Sequence, residues 1–158
     1  MLYQDIIAAR HSVRKFSSRK PERALLEQLI SEAQTAPSSK NCRSSRFLIV
    51  EDAQTLEAIS QMREHGSTFV AGAPAAIVVM GDSTVSDLWV DNAAISTTYL
   101  MLSAVDHGLG SCWVHVNGRL RSNPSPEKGT AEDYLRELLG IAPELRILCV
   151  LAVGYEAE

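Results

Sequence analysis

The stretch Asn92-Ala-Ala-Ile-Ser-Thr-Thr-Tyr-Leu-Met-Leu-Ser-Ala-Val105 carries no charged residue over almost four helical turns. Its apolar residues cover nearly the whole helical circumference: Ala93, Ala94, Ile95, Tyr99, Leu100, Met101, Leu102, Ala104 and Val105. A helix with this pattern can expose little of its surface to water. We expect a helix that is buried on all sides, covered in part by a second copy of the chain. The alternative is the central core helix of a monomer.

Four other stretches are rich in β-branched and aromatic residues, which predicts four strands. They are Phe47–Val50, Ala75–Met80, Cys112–Val116 and Ile147–Val153. Most are continuously apolar instead of alternating, so we expect helices to cover both faces of the sheet. This pattern predicts a three-layer α/β arrangement in which helices and strands alternate along the chain.

Several helix ends are marked by residues with known positional preferences. Pro21 suits a first helical turn, and the pair Ala36-Pro37 ends the helix that follows it. Asp52 is a good N-cap residue. Capping boxes are predicted at Thr84 with Asp87 and at Thr130 with Asp133.

The chain has 158 residues and a mass of 17.2 kDa, which fits one domain spanning residues 1–158. Its apolar stretches are shorter than the roughly 20 residues needed to cross a bilayer. The N-terminus has an acid at Asp5 and carries its basic residues after the apolar ones, the reverse of a secretion signal. We therefore expect a cytoplasmic protein without membrane association. Three scattered cysteines predict neither a disulfide framework nor a metal site.

Positive charge is concentrated at the start of the chain. Residues 1–46 contain nine Lys and Arg against four Asp and Glu, whereas residues 47–158 contain six against fifteen. This asymmetry suggests an anion site in the N-terminal part, although a solvated basic face is the simpler interpretation. A nucleic-acid module is disfavoured, because no aromatic residues are interleaved with these charges.

Three short motifs could carry chemistry. In Arg10-His-Ser-Val-Arg-Lys-Phe16, an extended backbone would place residues 10, 12 and 14 on one side, where two guanidiniums and a hydroxyl could hold a phosphate. The segment Ala36-Pro-Ser-Ser-Lys-Asn41 follows a helix and offers hydroxyls, an amide and a cation. In Gly108-Leu109-Gly110, the first glycine suits a helix stop, whereas the second is unexplained. Fingerprints of hydrolases, phosphoryl transferases and dinucleotide-binding folds are absent.

The order of these landmarks resembles the FMN-dependent nitroreductase family over nearly the whole chain. The landmarks are Arg10–Phe16, Ala36–Asn41 leading into Arg46–Asp52, Gly72–Val79, the uncharged helix, Gly108–Trp113, Leu139–Pro143 and the final strand ending at Tyr155. The resemblance implies an α+β, three-layer α/β/α sandwich with a mainly antiparallel central sheet and a long buried helix at a homodimer interface.

The resemblance also implies FMN at the subunit interface, NADH or NADPH as electron donor, and nitroaromatics, quinones or similar small molecules as acceptors. Members transfer hydride through flavin N5, so the resemblance implies no catalytic side chain. The cofactor-binding residues that it implies in one subunit are Arg10, His11, Ser12 and Arg14, with Gly110, Trp113, Val114 and His115 on a passing strand. The partner subunit would contribute Pro37, Ser38, Ser39 and Asn41.

Arg14 would lie near the N1–C2 edge of the flavin, where a fixed cation stabilises the negative charge of the reduced ring. His115 has a plainer interpretation as a packed residue of a strand, and Trp113 as a core residue.

Two departures from the family pattern leave alternatives open. Arg43-Ser44-Ser45 stands where members commonly have a Gln-Pro-Trp-like run, and the sequence ends in Gly154-Tyr-Glu-Ala-Glu158, where relatives often continue into a basic tail. One alternative is a flavin-binding relative with little turnover. Another is a flavin-fragmenting or dehalogenating enzyme.

Overall fold

Four antiparallel strands form the centre of the computed structural model, which describes residues 1–158. They are β1 (Ser45–Val50), β2 (Ala75–Asp82), β3 (Gly110–His115) and β4 (Leu145–Gly154), in the sheet order β1-β2-β4-β3. All four predicted strands are confirmed. Most observed strands reach one or two residues beyond the predicted ends, because ladder hydrogen bonds continue past the most apolar residues.

Helices cover both faces of this sheet. The five α-helices are α1 (Tyr3–Ala9), α2 (Arg23–Ala33), α3 (Ala53–Ser60), α4 (Trp89–Asp106) and α5 (Ala131–Leu139). Helices α2 and α4 pack on the face that presents Ile77 and Val79, while α3 and α5 pack on the face that presents Ala76 and Val78. The predicted α/β/α sandwich with an antiparallel sheet is therefore confirmed. No helix combines the length and the apolar character that crossing a membrane requires.

Helix α4 is buried on one side only. Trp89, Ala93, Leu100 and Ala104 belong to the core, but Ile95 and Tyr99 remain 38% and 37% exposed. The expected burial on all sides is therefore not provided by a single chain. The sheet and α2 cover one face of the helix and α1 also contacts it, but Ile95 and Tyr99 are left exposed.

The predicted helix starts are confirmed in two places and wrong in two others. The carboxylate of Asp52 accepts a hydrogen bond from Thr55 N (2.9 Å), and Thr130 Oγ1 accepts one from Asp133 N (3.1 Å). Thr84 caps no helix, because its hydroxyl and backbone N–H both donate to Asp82 and α4 begins only at Trp89. Pro21 lies two residues before the start of α2.

The N-terminal segment is fixed against the sheet beside β3. Val13 N donates to Ser111 O (3.0 Å), and Val13 itself is buried. A Cβ at Gly110 would come within 2.6 Å of a methyl group of Val13, so this close approach requires glycine. Farther on, Ser17 N donates to Tyr155 O and Ala157 N donates to Lys15 O. These contacts hold residues 10–17 between the sheet edge and the C-terminal residues.

Candidate active site

The basic segment Arg10–Arg14 presents two free cations. The side chains of Arg10, Ser12 and Arg14 are exposed and form neither hydrogen bonds nor ion pairs, whereas Val13 between them points into the core. Burial of Val13 between exposed Ser12 and Arg14 fits the predicted alternation at that point, whereas His11 is exposed like its two neighbours. Two unpaired guanidiniums flanking a free hydroxyl provide the donor set that a phosphate group requires.

His11 is partnered with the acidic end of the chain. Its Nε2 lies 3.0 Å from Glu156 Oε1, and its Nδ1 lies 2.9 Å from Ala9 O. The hydrogen bond to Glu156 is the main cause that raises the pKa of His11 above its ordinary value, and the carbonyl of Ala9 adds to it. Glu156 therefore stabilises the protonated form of His11, while Arg10 and Arg14 have no acidic partner.

On β3, Trp113 and His115 form a stacked pair with a defined tautomer. Their rings lie 6.1 Å apart, and Trp113 Nε1 is 3.1 Å from His115 Nδ1. An indole N–H can only donate, so Nδ1 must accept and the proton of the neutral imidazole lies on Nε2. Partial burial lowers the pKa of His115, and the positive charges of Arg119 and Arg63 lower it further. The neutral ring therefore offers an Nε2–H donor near pH 7.

Two other predicted residues of β3 play a packing role in the structure. The side chain of Val114 is buried in the core on the α3 and α5 face, opposite to Trp113, so only its main chain can face a ligand. The contact between Gly110 and Val13 explains the second glycine, which the sequence left unexplained.

The loop Pro37–Asn41 precedes β1 and has an unusual backbone. Lys40, Asn41 and Arg43 adopt left-handed conformations with φ of 54°, 51° and 49°. Such conformations are uncommon outside glycine and are tolerated best by Asn and Asp, so they need support from surrounding contacts. The side chains of Ser39 and Asn41 form no hydrogen bond within the chain, and both are available to a ligand.

Asn92, on α4, supplies much of that support. Its side chain is almost fully buried, with Oδ1 accepting from Ser39 N (3.0 Å) and Nδ2 donating to Ser44 Oγ (2.9 Å). The amide thereby ties the residues on either side of the left-handed segment, Ser39 and Ser44, to the helix. Sequence reasoning placed Asn92 at the start of the uncharged helix and missed this role. An amide at the edge of an otherwise apolar face was the available signal.

The two groups of candidate residues lie at diagonally opposite corners of the sheet. Ser12 pairs with Ser111 on edge strand β3, and the loop Pro37–Asn41 leads into edge strand β1. On one side of the sheet, Ser111 of β3 pairs with Val153, which is near the end of β4. On the other side, Ser45 of β1 pairs with Gly81 of β2, and Gly81 pairs with Arg146, which is near the beginning of β4. The corners are separated by about 14 Å across the sheet and about 23 Å along the strands. One chain therefore does not assemble both groups around one ligand.

Known proteins resemble this chain over almost its whole length. The sequence model described as "Nitroreductase family" matches residues 7–65 and 54–155, almost the whole chain. The chain belongs to the nitroreductase family. A protein of Archaeoglobus fulgidus provisionally named NADH dehydrogenase/NAD(P)H nitroreductase is 32% identical over 97% of this chain and 84% of its own length.

Solved structures of nitroreductases share the fold. An FMN-dependent nitroreductase from Clostridium difficile R20291 superimposes with a TM-score of 0.90 at 34% identity, covering 97% of this chain and 87% of its own. A nitroreductase-like protein from Desulfovibrio desulfuricans in complex with FMN has a TM-score of 0.80, and it covers all of this chain and 88% of its own. At 19% identity, this second structure supports the fold alone.

We expect Asn92→Ala to lower the free energy of unfolding by about 2–3 kcal/mol, because the N–H of Ser39 and the hydroxyl of Ser44 lose a buried partner. Urea denaturation measures this loss. Amide hydrogen exchange should accelerate selectively at residues 39–44. Asn123→Ala, at an exposed asparagine without hydrogen bonds, is the matched control. Equal stability of the two variants would show that Asn92 does not hold the loop.

We expect the pKa of His11 to fall in Glu156→Gln, because the variant loses the carboxylate that stabilises the imidazolium. A group whose pKa is raised in the folded state stabilises the protein below its unfolded pKa and loses that contribution as the pH rises through the folded pKa. An NMR titration of the His11 ring measures both pKa values. Glu158→Gln, which removes an unpaired terminal carboxylate, should leave the titration unchanged. An identical His11 pKa in wild type and Glu156→Gln would exclude the proposed cause.

Proposed function

We propose that this chain acts as a homodimer that binds FMN between its subunits and transfers reducing equivalents from NAD(P)H to small acceptors such as nitroaromatics and quinones. Membership in the nitroreductase family and the similarity to an FMN-dependent nitroreductase support an FMN-dependent NAD(P)H oxidoreductase. The observation that supports the proposal is the diagonal separation of the two sets of candidate residues, which could surround one ligand only if a second copy of the chain brought them together.

The donor groups of the basic segment fit FMN. Arg10 and Ser12 would bind the phosphate, with His11 beside the ribityl chain, because a doubly charged phosphate is best held by free guanidiniums and hydroxyls. Arg14 would lie at the N1–C2 edge of the ring. Bound FMN would supply the hydride-transfer chemistry between the nicotinamide and the acceptor, through its N5 position. A cation at Arg14 would favour the reduced form by stabilising its negative charge.

The opposite corner of a second copy would complete the pocket. The loop containing Pro37, Ser38, Ser39 and Asn41 would contribute the amide of Asn41 and the hydroxyl of Ser39 to the ring and the ribityl chain. On β3, the main chain near Gly110 and Val114 and the pair Trp113 and His115 would pass the cofactor. In this arrangement no side chain moves a proton; the residues bind the cofactor, orient it and exclude water.

An uncovered apolar surface supports the dimer. Helix α1 has no buried residue, and it packs against α4, whose outer face is open. The exposed apolar side chains are Leu2, Tyr3 and Ile7 at the N-cap and in α1, and Ile95 and Tyr99 in α4. Exposed apolar side chains on two packed helices are typical of an interface, and a two-fold dimer would bury the same surface on both subunits.

We expect the purified protein to bind FMN, to show a flavin absorption band, and to oxidise NADH or NADPH when a nitroarene or quinone is present. The double variant Arg10→Gln, Arg14→Gln should bind FMN at least about 30-fold more weakly, because two charge-assisted contacts are lost. Fluorescence titration with FMN gives the dissociation constants.

The control for this comparison is Lys128→Gln, an exposed cation outside the candidate site. A protein that stays colourless and ignores added FMN would overturn the proposal. FMN binding without oxidation of NAD(P)H would instead favour a flavin-binding relative with little turnover. Release of iodide from an iodinated tyrosine would favour a dehalogenating enzyme.

We expect Tyr99→Glu to dissociate the dimer and to weaken FMN binding in parallel, because it places a charge in the proposed apolar interface. Sedimentation velocity at about micromolar concentration measures the oligomeric state. Leu138→Glu is the matched control, since Leu138 has a similar exposure (38%) but lies on α5, on the opposite layer. A wild-type protein that sediments as a monomer, or a Tyr99→Glu variant that remains fully dimeric, would contradict this interface.

A further inference from the structure

A cavity of about 490 Å³ lies beside the loop Pro37–Asn41, between the end of α2 and the start of β1. Its walls include the polar side chains of Ser38, Arg43, Ser45, Arg46 and Ser96 and the aromatic ring of Phe47. The residues proposed to contact the phosphate at the β3 corner do not line it. Ser38 is the one candidate FMN residue that also lines the cavity, so the cavity would open beside the proposed cofactor.

The cavity has a positively charged lining that contains no carboxylate. Two arginines line it, and neither arginine forms an ion pair. The charge of Arg46 contributes to the lowered pKa of Asp82, but the hydrogen bond from Thr84 is the main cause of that lowering. An unpaired pair of guanidiniums in one concave site favours an anionic ligand.

The two arginines differ in how they are held. Arg46 donates through Nη1 to Arg43 O (2.7 Å) and to Ser45 O (2.9 Å). These two hydrogen bonds fix its guanidinium beside the first residue of β1. The side chain of Arg43 has no partner, but its backbone N–H donates to Ser38 Oγ (3.0 Å) and its φ is 49°. The strained turn therefore places Arg43 beside Ser38, which the proposed function assigns to the cofactor.

The remaining walls suit a flat ring. Ile30, Ala36 and Phe47 provide the apolar surface, while Ser45 and Ser96 are hydrogen-bonded to each other at 3.2 Å. An aromatic ring could pack on Phe47 while its charged substituent meets the guanidiniums.

We propose that this cavity binds the anionic substituent of the electron acceptor, so that the enzyme prefers aromatic acceptors that carry a carboxylate. This inference rests on the proposed function, because it takes Ser38 as a neighbour of bound FMN. Arg43 is the specificity-determining residue: its free guanidinium pairs with the carboxylate, and Arg46 adds a second, fixed charge. Contact between the cavity and the aromatic ring of the acceptor contributes to binding affinity, and the two arginines select for acceptors that carry a negative charge.

The test compares 4-nitrobenzoate with the neutral 4-nitrobenzamide as acceptors for the FMN-loaded protein. We expect kcat/KM to be higher for the benzoate, and the ratio of the two values to fall about ten-fold in Arg43→Gln, as expected for the loss of one charge-assisted contact. Arg43→Lys, which keeps the charge but loses the planar fork, should fall less. Lys20→Gln removes one positive charge before the opposite end of α2 and should leave the ratio unchanged.

A second measurement needs no turnover. Benzoate added to the FMN-loaded protein without NAD(P)H should bind, shift the flavin absorption band, and lose affinity about ten-fold in Arg43→Gln but not in Lys20→Gln. Benzoate binding without reduction of either nitro compound would support this site and contradict the proposed reaction. The anion site would be overturned if both nitro compounds were reduced, the ratio of their kcat/KM values were the same in wild type and Arg43→Gln, and no benzoate binding were detected. That result would leave the proposed reaction intact.

Discussion

The strand order β1-β2-β4-β3 is the constraint on which the site depends. It sends the N-terminal basic segment to one edge of the sheet and the loop before β1 to the other, and the antiparallel register places them at opposite ends as well. Neither half can form a pocket with the other in the same chain. The proposed homodimer would solve this problem, because a two-fold axis could bring each corner of one subunit to the complementary corner of the other and create two identical sites at once.

Much of this fold could be predicted from hydrophobic pattern, because continuous apolar strands require cover on both faces. The errors come from competition between local and tertiary interactions. Thr84 looked like a helix cap, but the carboxylate of Asp82 lies two residues away and captures both its hydroxyl and its N–H. The uncharged helix appeared to need burial on all sides, yet Ile95 and Tyr99 are exposed in a single chain. Composition shows that a surface must be covered but does not show which chain covers it.

The candidate site was less predictable than the fold. The motif at residues 10–14 could be recognised, and its free guanidiniums agree with an anion site, but its attachment through Val13 and Gly110 is a packing contact between distant segments. Asn92 was missed for the same reason. In the sequence it is one polar residue of an apolar helix, and only the structure shows that Ser39 and Ser44, about 50 positions earlier, are its partners. The pairing of His11 with Glu156 likewise joins the two ends of the chain.

Helix α4 connects the loop with the outer surface of the molecule. On its inner side Asn92 holds the left-handed turn of Lys40, Asn41 and Arg43, and one to two turns farther on Ile95 and Tyr99 face outward. Three uncommon backbone conformations store strain, which persists only where the surrounding contacts fix them. Because a helix moves as a rigid element, packing on its outer face also fixes the position of the Asn92 amide. Association of two chains would therefore stabilise the loop geometry, in addition to bringing that loop to the cofactor of the other subunit.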